Sequence, residues 1–258
     1  MVHAEPKLIG FDLDGTLTQH KTPLEPRNNA VLEMLKRQYM VVMVAAGSCK
    51  RVYTQLNEFP IDIIGNYGMQ ESRVIDTDSG KRFELIRDEK ADIDREKTYA
   101  RVEKIRDLTN YTDITGDEVE FHRSGVITFP LLGTKADPLR KLSFDPDRQK
   151  RREIYQLVFE MFPEYNVFIG GTSSFDIVPK PYDKFYALTS YADQRRVPMD
   201  RIIYVGDDFG PGGNDEPLMK SGIECINIEN YQHLPDVLAE HLNDSLLADA
   251  RNDSQVHR

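Results

Sequence analysis

Met40–Ala46 reads MVVMVAA, a continuous apolar run with no polar position to turn toward water. Such a run predicts a strand buried on both faces of a parallel sheet. Lys7–Phe11, the short run Ile61–Ile64 and residues 201–208 (RIIYVGDD) read as further strands. Between the first two, EPRNNAVLEMLKRQ sets Val31, Leu32, Met34 and Leu35 on one side of a predicted helix, and another helix is predicted from about Arg51 to Glu58. Strand and helix in alternation predict a doubly wound, parallel-sheet α/β domain.

The pattern changes near Gly68. RVIDTDSGKRFELI predicts a hairpin turning at Asp78, Ser79 and Gly80. A charged helix around Asp92–Leu108 follows, then the strand-like VEFHRS and GVITFPLL. DPDRQKRREIYQLVFEMF is apolar at Ile154, Leu157, Val158 and Met161 and predicts a helix, and NVFIGG and SSFDIVPK predict two more strands. This is an α+β module. From Lys184 the first pattern returns, with KFYALTSYADQRR and LPDVLAEHL as helices and ECINI as a strand. The module therefore interrupts the α/β domain. The expected division is 1–80 with 184–245 for the α/β core, 81–183 for the insertion, and a polar, disordered tail over 246–258.

Composition narrows the function. The 258 residues are 40% hydrophobic and 29% charged, ordinary for a globular chain large enough to bury a core. A net charge of -10 argues against a nucleic-acid or anionic-membrane surface. Cys49 and Cys225 alone offer neither a disulfide framework nor a Cys-rich zinc site, and MVHAEPK offers no apolar leader. A soluble cytoplasmic protein, monomer or homodimer, is expected.

The candidate chemistry lies where strands end. In FDLDGTLT, Asp12 and Asp14 share one strand face by their i, i+2 spacing and would converge beyond the end of the strand. Two carboxylates so placed repel unless a cation lies between them, and a hard divalent ion, most simply Mg²⁺, resolves the conflict. Taken alone, a D-x-D serves equally as a helix cap beside an exposed acid. Other strand ends shift the balance: Gly47 and Ser48 follow the second strand, and Gly206, Asp207 and Asp208 follow IIYV. Lys184 opens the helix that re-enters the domain. Acids, a hydroxyl, a lysine and a metal are what phosphoryl transfer requires.

In order along the chain, Asp12-Leu13-Asp14-Gly15-Thr16, Ser48, Lys184, and Gly206-Asp207-Asp208 with Asn214-Asp215 resemble the four motifs of the haloacid dehalogenase superfamily. The insertion resembles the α+β cap of its Cof-type branch. IGGTSSFDIVPKPYDK, GDDFGPGGND and VEFHRSGVITFPLLG are similar to segments of the eukaryotic-type phosphomannomutases. The resemblance implies that Asp12 becomes an aspartyl phosphate. It also implies that Asp14 is general acid and base and offers its carbonyl to Mg²⁺, and that Asp207 is a further metal ligand. Ser48 and Lys184 would hold the transferring phosphoryl group, with Gly47 beside them and Asp208, Asn214 and Asp215 in support. Ser174 and Asp176 would contact the sugar.

Where the mutases clamp a phosphate with arginines, this chain has Lys21, His122 beside Arg123, Thr134, and Lys141 beside Arg140. Lysine does not reproduce the planar fork of arginine, so a looser clamp is expected. The expected function is a Mg²⁺-dependent phosphohydrolase acting on a sugar phosphate or similar small phosphoester. A phosphomannomutase is the alternative, and a non-catalytic phosphate-binding module the third reading.

Overall fold

The computed structural model describes residues 7–78 and 80–242, so the expected disordered tail over 246–258 lies outside the described residues. The chain forms two compact units. The first runs to Asp88, resumes over Lys184–Phe209 and again from Pro217; the second comprises Glu89–Asp183 with Gly210–Glu216.

The first unit is built on parallel strands β1 (Leu8–Phe11), β2 (Met40–Val44) and β3 (Asp62–Gly65). An antiparallel pair, β4 (Gln70–Thr77) and β5 (Gly80–Asp88), continues the sheet. The second unit contributes its own strands, β6 (Glu120–Phe121), β7 (Ile127–Pro130), β8 (Tyr165–Gly170) and β9 (Ser174–Pro179). The chain then returns to the first sheet with β10 (Ile202–Gly206) and β11 (Glu224–Asn227). The sheet order is β11-β10-β1-β2-β3-β4-β5, so β1 lies inside the parallel part.

Strand alternation sorts the buried side chains onto two faces. Ile9, Phe11, Met43, Ile63 and Val205 pack against Val31, Leu32 and Leu35 of α1 (Pro26–Leu35) and Val52 of α2 (Cys49–Gln55). Leu8, Val42, Val44, Ile64 and Tyr204 pack on the other face against Ala187, Leu188 and Tyr191 of the helix Lys184–Gln194. Burying each such side chain contributes about 1.5–3 kcal/mol, which fixes the strand ends that carry the polar residues.

One boundary differs from expectation. The hairpin after Gly68 is present, but β4 pairs with β3 and β5 with β4, so both belong to the first sheet and that unit reaches Asp88 rather than residue 80. Period-two alternation specifies a strand and not the sheet it joins.

The second unit is a four-stranded antiparallel sheet, β6-β7-β9-β8, with helices α3 (Arg95–Thr109), α4 (Pro138–Phe144) and α5 (Gln149–Met161). Ile127, Phe129, Val167, Ile169, Phe175 and Ile177 form one face of the sheet and pack on Val102 and Ile105 of α3 and Val158 of α5. Thr128, Asp176 and Phe168 stand level with one another on the alternate positions of β7, β9 and β8. The helix Lys184–Gln194 is α6, and α7 (Glu216–Ser221) and α8 (Leu234–Leu242) are the last helices among the described residues. Among the described residues no helix is long and apolar enough to cross a membrane.

Candidate active site

β1 ends at Phe11, and the amide of Asp12 still donates to Val205 O at 2.9 Å, so Asp12 is held against β10. Its Oδ1 lies 2.8 Å from Lys184 Nζ, with the lysine side chain fully buried and that of Asp12 10% exposed. A buried ammonium needs a partner of this kind, and the first residue of α6 reaches it.

From Asp12 the chain turns sharply: Gly15 N donates to Thr18 O at 2.8 Å, and Leu17 N and Thr18 N both donate to Leu13 O. Gly15 sits at φ +98°, and a Cβ there would lie 2.6 Å from Asp207 Oδ2. Thr16 Oγ1 donates to Asp207 Oδ1 at 3.2 Å. Glycine thus admits the carboxylate that follows β10, and threonine orients it.

The turn also changes the expected pairing of acids. Strand alternation ceases at Phe11, and the carboxylates of Asp12 and Asp14 take different partners. Arg51 Nη1 and Nη2 donate to Asp14 Oδ2 at 3.2 and 3.3 Å. Gln55 Nε2 and the amide of Lys21 each donate to Asp14 Oδ1 at 2.7 Å. Burial opposes the charge of Asp14, but Arg51, Gln55, the Lys21 amide and His20 outweigh it and hold the carboxyl below its ordinary range. Lys21 therefore serves this acid through its backbone, while its side chain is exposed.

Ser48 is the N-cap of α2, its Oγ accepting from Arg51 N at 3.4 Å. Gly47 has a clear local reason: a Cβ there would fall 2.2 Å from Arg51 Nη2, so the guanidinium lies across it. Cys49 is buried and donates its Sγ hydrogen to Ile63 O, and burial pushes its thiol up to about 11, which keeps it an unreactive thiol.

Asp12, Asp207 and Asp215 each offer a carboxylate oxygen, all within 4.8 Å of one another. Asp208 and Asp215 are buried. Asn214 Oδ1 is also buried, without a hydrogen-bond donor among the described residues. Like charges gathered so closely, with an oxygen acceptor left unsatisfied next to one of them in the chain, fit a hard divalent cation. The carboxylate of Asp14 is not one of the three.

The candidate residues of the second unit separate by environment. Ser174 Oγ donates to Gly170 O at 3.0 Å. Asp176 Oδ1 accepts from Thr128 Oγ1 at 3.3 Å, and Thr128 Oγ1 lies 2.9 Å from His122 Nε2. Arg140 pairs with Asp113 at 2.7 Å, and Lys141 Nζ donates to Thr134 O at 2.8 Å. Thr134 Oγ1 itself accepts from the amide of Asp117 at 2.8 Å. Arg123 is exposed in the turn after β6 and makes no hydrogen bond or ion pair among the described residues.

The sequence reading missed two sets of residues. Arg51 and Gln55 stand one helical turn apart on α2 and grip Asp14 together, a spacing that reads as a solvated face until the partner is seen. Arg151 and Asp145 form an ion pair of 2.7 Å with both side chains buried. Arg151 Nη1 also donates to Gly170 O, Gly171 O and Ser174 O at 2.8, 3.0 and 3.3 Å, pinning the turn before β9.

Residues 9–230 match the family model of the haloacid dehalogenase-like hydrolases. A phosphomannomutase of Dendrobium officinale is 27% identical over 229 residues, covering 83% of this chain and 85% of that protein. A probable phosphomannomutase of Caenorhabditis elegans is 26% identical over 82% of this chain and 85% of its own length. Among solved structures, an IMP-nucleotidase of Plasmodium falciparum superposes with TM-score 0.62 at 14% identity, over 93% of this chain and 69% of that one. A haloacid dehalogenase superfamily phosphatase from Bacteroides thetaiotaomicron superposes with TM-score 0.58 at 14% identity, over 93% and 96%. These structures share the fold. With the family model matched over most of its length, the chain belongs to the haloacid dehalogenase-like hydrolases.

Proposed function

We propose that this protein hydrolyses a small phosphomonoester, a sugar phosphate by its resemblance to the phosphomannomutases, through an aspartyl phosphate on Asp12. A carboxylate oxygen of Asp12 attacks phosphorus while the bond to the leaving oxygen breaks, and Asp14, which first takes up a proton from solvent against the pull of Arg51 and Gln55, passes that proton to the leaving oxygen. Asp14 then takes a proton from water as the water oxygen attacks phosphorus, and the bond to Asp12 breaks. Lys184, already against Asp12, offsets the negative charge that gathers there. Ser48 keeps its hydroxyl hydrogen to donate, since its Oγ only accepts from Arg51 N. Asp12, Asp207 and Asp215, with the Asp14 carbonyl, would hold Mg²⁺, which when bound supplies further neutralisation of the phosphoryl oxygens.

The observation that carries hydrolysis over isomerisation is the state of the second unit's polar residues. A mutase must retain a sugar bisphosphate while it reorients, which demands cationic donors free for the second phosphate. Here Thr134, Arg140 and Lys141 are engaged by neighbours in their own unit and His122 is within hydrogen-bond distance of Thr128, which leaves Arg123 as the second unit's one candidate for that clamp without a partner among the described residues. Each charge-assisted contact missing from such a clamp costs about 1.5–3 kcal/mol of retention, so water has time to intervene.

The second reading, a phosphomannomutase, is favoured by relatives of that name at 26–27% identity over more than four fifths of the chain. One assay separates the two. Mannose 1-phosphate and glucose 1-phosphate are supplied with and without a sugar bisphosphate activator, and free phosphate and the 6-phosphate are followed together. Hydrolysis predicts phosphate release in excess of the 6-phosphate. Conversion to the 6-phosphate with little free phosphate would establish the mutase.

A further inference from the structure

We propose that Arg51 and Gln55 are positioning residues for the reaction, holding the Asp14 carboxylate in the orientation from which it moves protons. This rests on the reading of Asp12 as nucleophile and Asp14 as acid and base. The geometry is specific. Arg51 and Gln55 lie on one face of α2, and Arg51 Nη1 donates to Gln55 Oε1 at 2.8 Å, so the two side chains brace each other. The guanidinium presents both terminal nitrogens to Asp14 Oδ2, and Gln55 Nε2 takes Oδ1. Gln55 Nε2 also donates to Thr18 Oγ1 at 2.9 Å, which ties the clamp to the turn that carries Asp14.

Three features set this apart from a surface ion pair. The carboxylate is held through both oxygens, which fixes the plane of the group as well as its position. Glycine at position 47 leaves the space that the Arg51 guanidinium occupies, as the 2.2 Å approach of its Nη2 to a built Cβ shows. The clamp also shares its helix with the Ser48 cap, so the hydroxyl assigned to the phosphoryl group and the acid assigned to proton transfer are registered by one short element.

A carboxylate released from this clamp would stay on the turn that follows β1 but in several rotamers. Proton transfer would slow while binding of phosphate and metal would not. The defect should appear after the phosphoenzyme has formed, where water must be deprotonated.

The experiment uses the full chain with Arg51→Lys, Arg51→Met and Gln55→Leu, each checked for an unchanged melting temperature. With 4-nitrophenyl phosphate, whose leaving group departs without a proton, acid-quenched samples report the phosphoenzyme and steady-state rates report turnover. Arg51→Met should lower kcat roughly tenfold to a hundredfold, a part of the roughly 10²–10⁴-fold that general acid–base catalysis supplies. KM should fall in step with kcat so that kcat/KM stays fixed, the Mg²⁺ concentration for half-maximal activity should not change, and the quenched phosphoenzyme fraction should rise. Arg51→Lys, which keeps the charge but loses the fork, should fall between. If Arg51→Met does not fold, Arg51→Lys and Gln55→Leu carry the same test. Unchanged kcat would overturn the proposal, as would a rise in KM or Mg²⁺ requirement in step with the loss of kcat, or an unraised phosphoenzyme fraction. Asp12→Asn separates the two levels: if it retains turnover, the underlying reading fails and the clamp's role falls with it. If Asp12→Asn is inactive and the Arg51 variants are normal, only the present inference fails.

Discussion

Lys184 Nζ and Asp12 Oδ1 meet at 2.8 Å with the lysine side chain wholly shut off from water. The strand that begins the fold and the helix that resumes it after the insertion are thus joined by an ion pair. Removing one member of a buried pair leaves the other charge uncompensated, at a cost of about 3–5 kcal/mol. Without added divalent cation, Lys184→Met should therefore shift the urea midpoint strongly downward. Asp12→Asn combined with Lys184→Met should recover much of the loss, because neither charge is then stranded. Additive losses in the double variant would show that the two groups do not interact.

The gathering of Asp12, Asp207 and Asp215 predicts a cation requirement. Chelation should remove activity and Mg²⁺ should restore it. Thr16→Val, which deletes the donor to Asp207 Oδ1, should weaken Mg²⁺ binding by calorimetry while leaving the fold intact. Full activity in excess chelator would refute the metal assignment.

Asp145 predicts an acid-labile second unit. Burial raises its pKa, but the Arg151 side chain and the amides of Lys150 and Arg151 outweigh burial, and the net direction is down. A folded-state value below the unfolded one means the native state binds fewer protons. The stability it contributes is therefore complete above the ordinary aspartate value of about 3.9 and is lost as pH falls through the lower folded value. Denaturation followed from neutral pH into the acid range should steepen below about pH 4. Asp145→Asn should abolish that part of the slope and lower stability at neutral pH, since Arg151 stays buried without its partner. An unchanged slope would assign acid unfolding to other groups.

These predictions mark where the sequence is readable. Met40–Val44 and Leu8–Phe11 are legible because a strand buried on two faces has no polar position to misdirect the reading. Lys184 is legible by its place, at the return from the insertion. Asp145 and Arg151 are not: DPDRQKRR has the look of a solvated charge run, and only the turn at Gly170 and Gly171, distant in sequence, supplies the carbonyls that let a guanidinium be buried. α4 escapes the pattern as well, since none of its residues is buried and no apolar stripe announces it. The placement of β4 and β5 depends on an edge left open by β3, which lies outside the hairpin's own residues.

Two glycines with similar backbone angles give the sharpest test of how the site is shaped. Gly15 and Gly222 have φ of +98° and +83°, a region that L-residues rarely adopt. Alanine at either position carries backbone strain of about 1–3 kcal/mol. At Gly222 nothing lies within 4 Å of the new Cβ, so strain is the whole effect. At Gly15 the Cβ would stand 2.6 Å from Asp207 Oδ2 and 2.7 Å from its Cγ, a separation that forces the carboxylate to move. Gly222→Ala should thus lower the melting temperature and leave the Mg²⁺ affinity unchanged. Gly15→Ala should lower both, and should lose more turnover than its melting temperature accounts for. Calorimetric titration of Mg²⁺ into the two variants measures the difference directly. Equal Mg²⁺ affinities would mean that the carboxylate of Asp207 is not held in place by the backbone of the turn that carries Asp14.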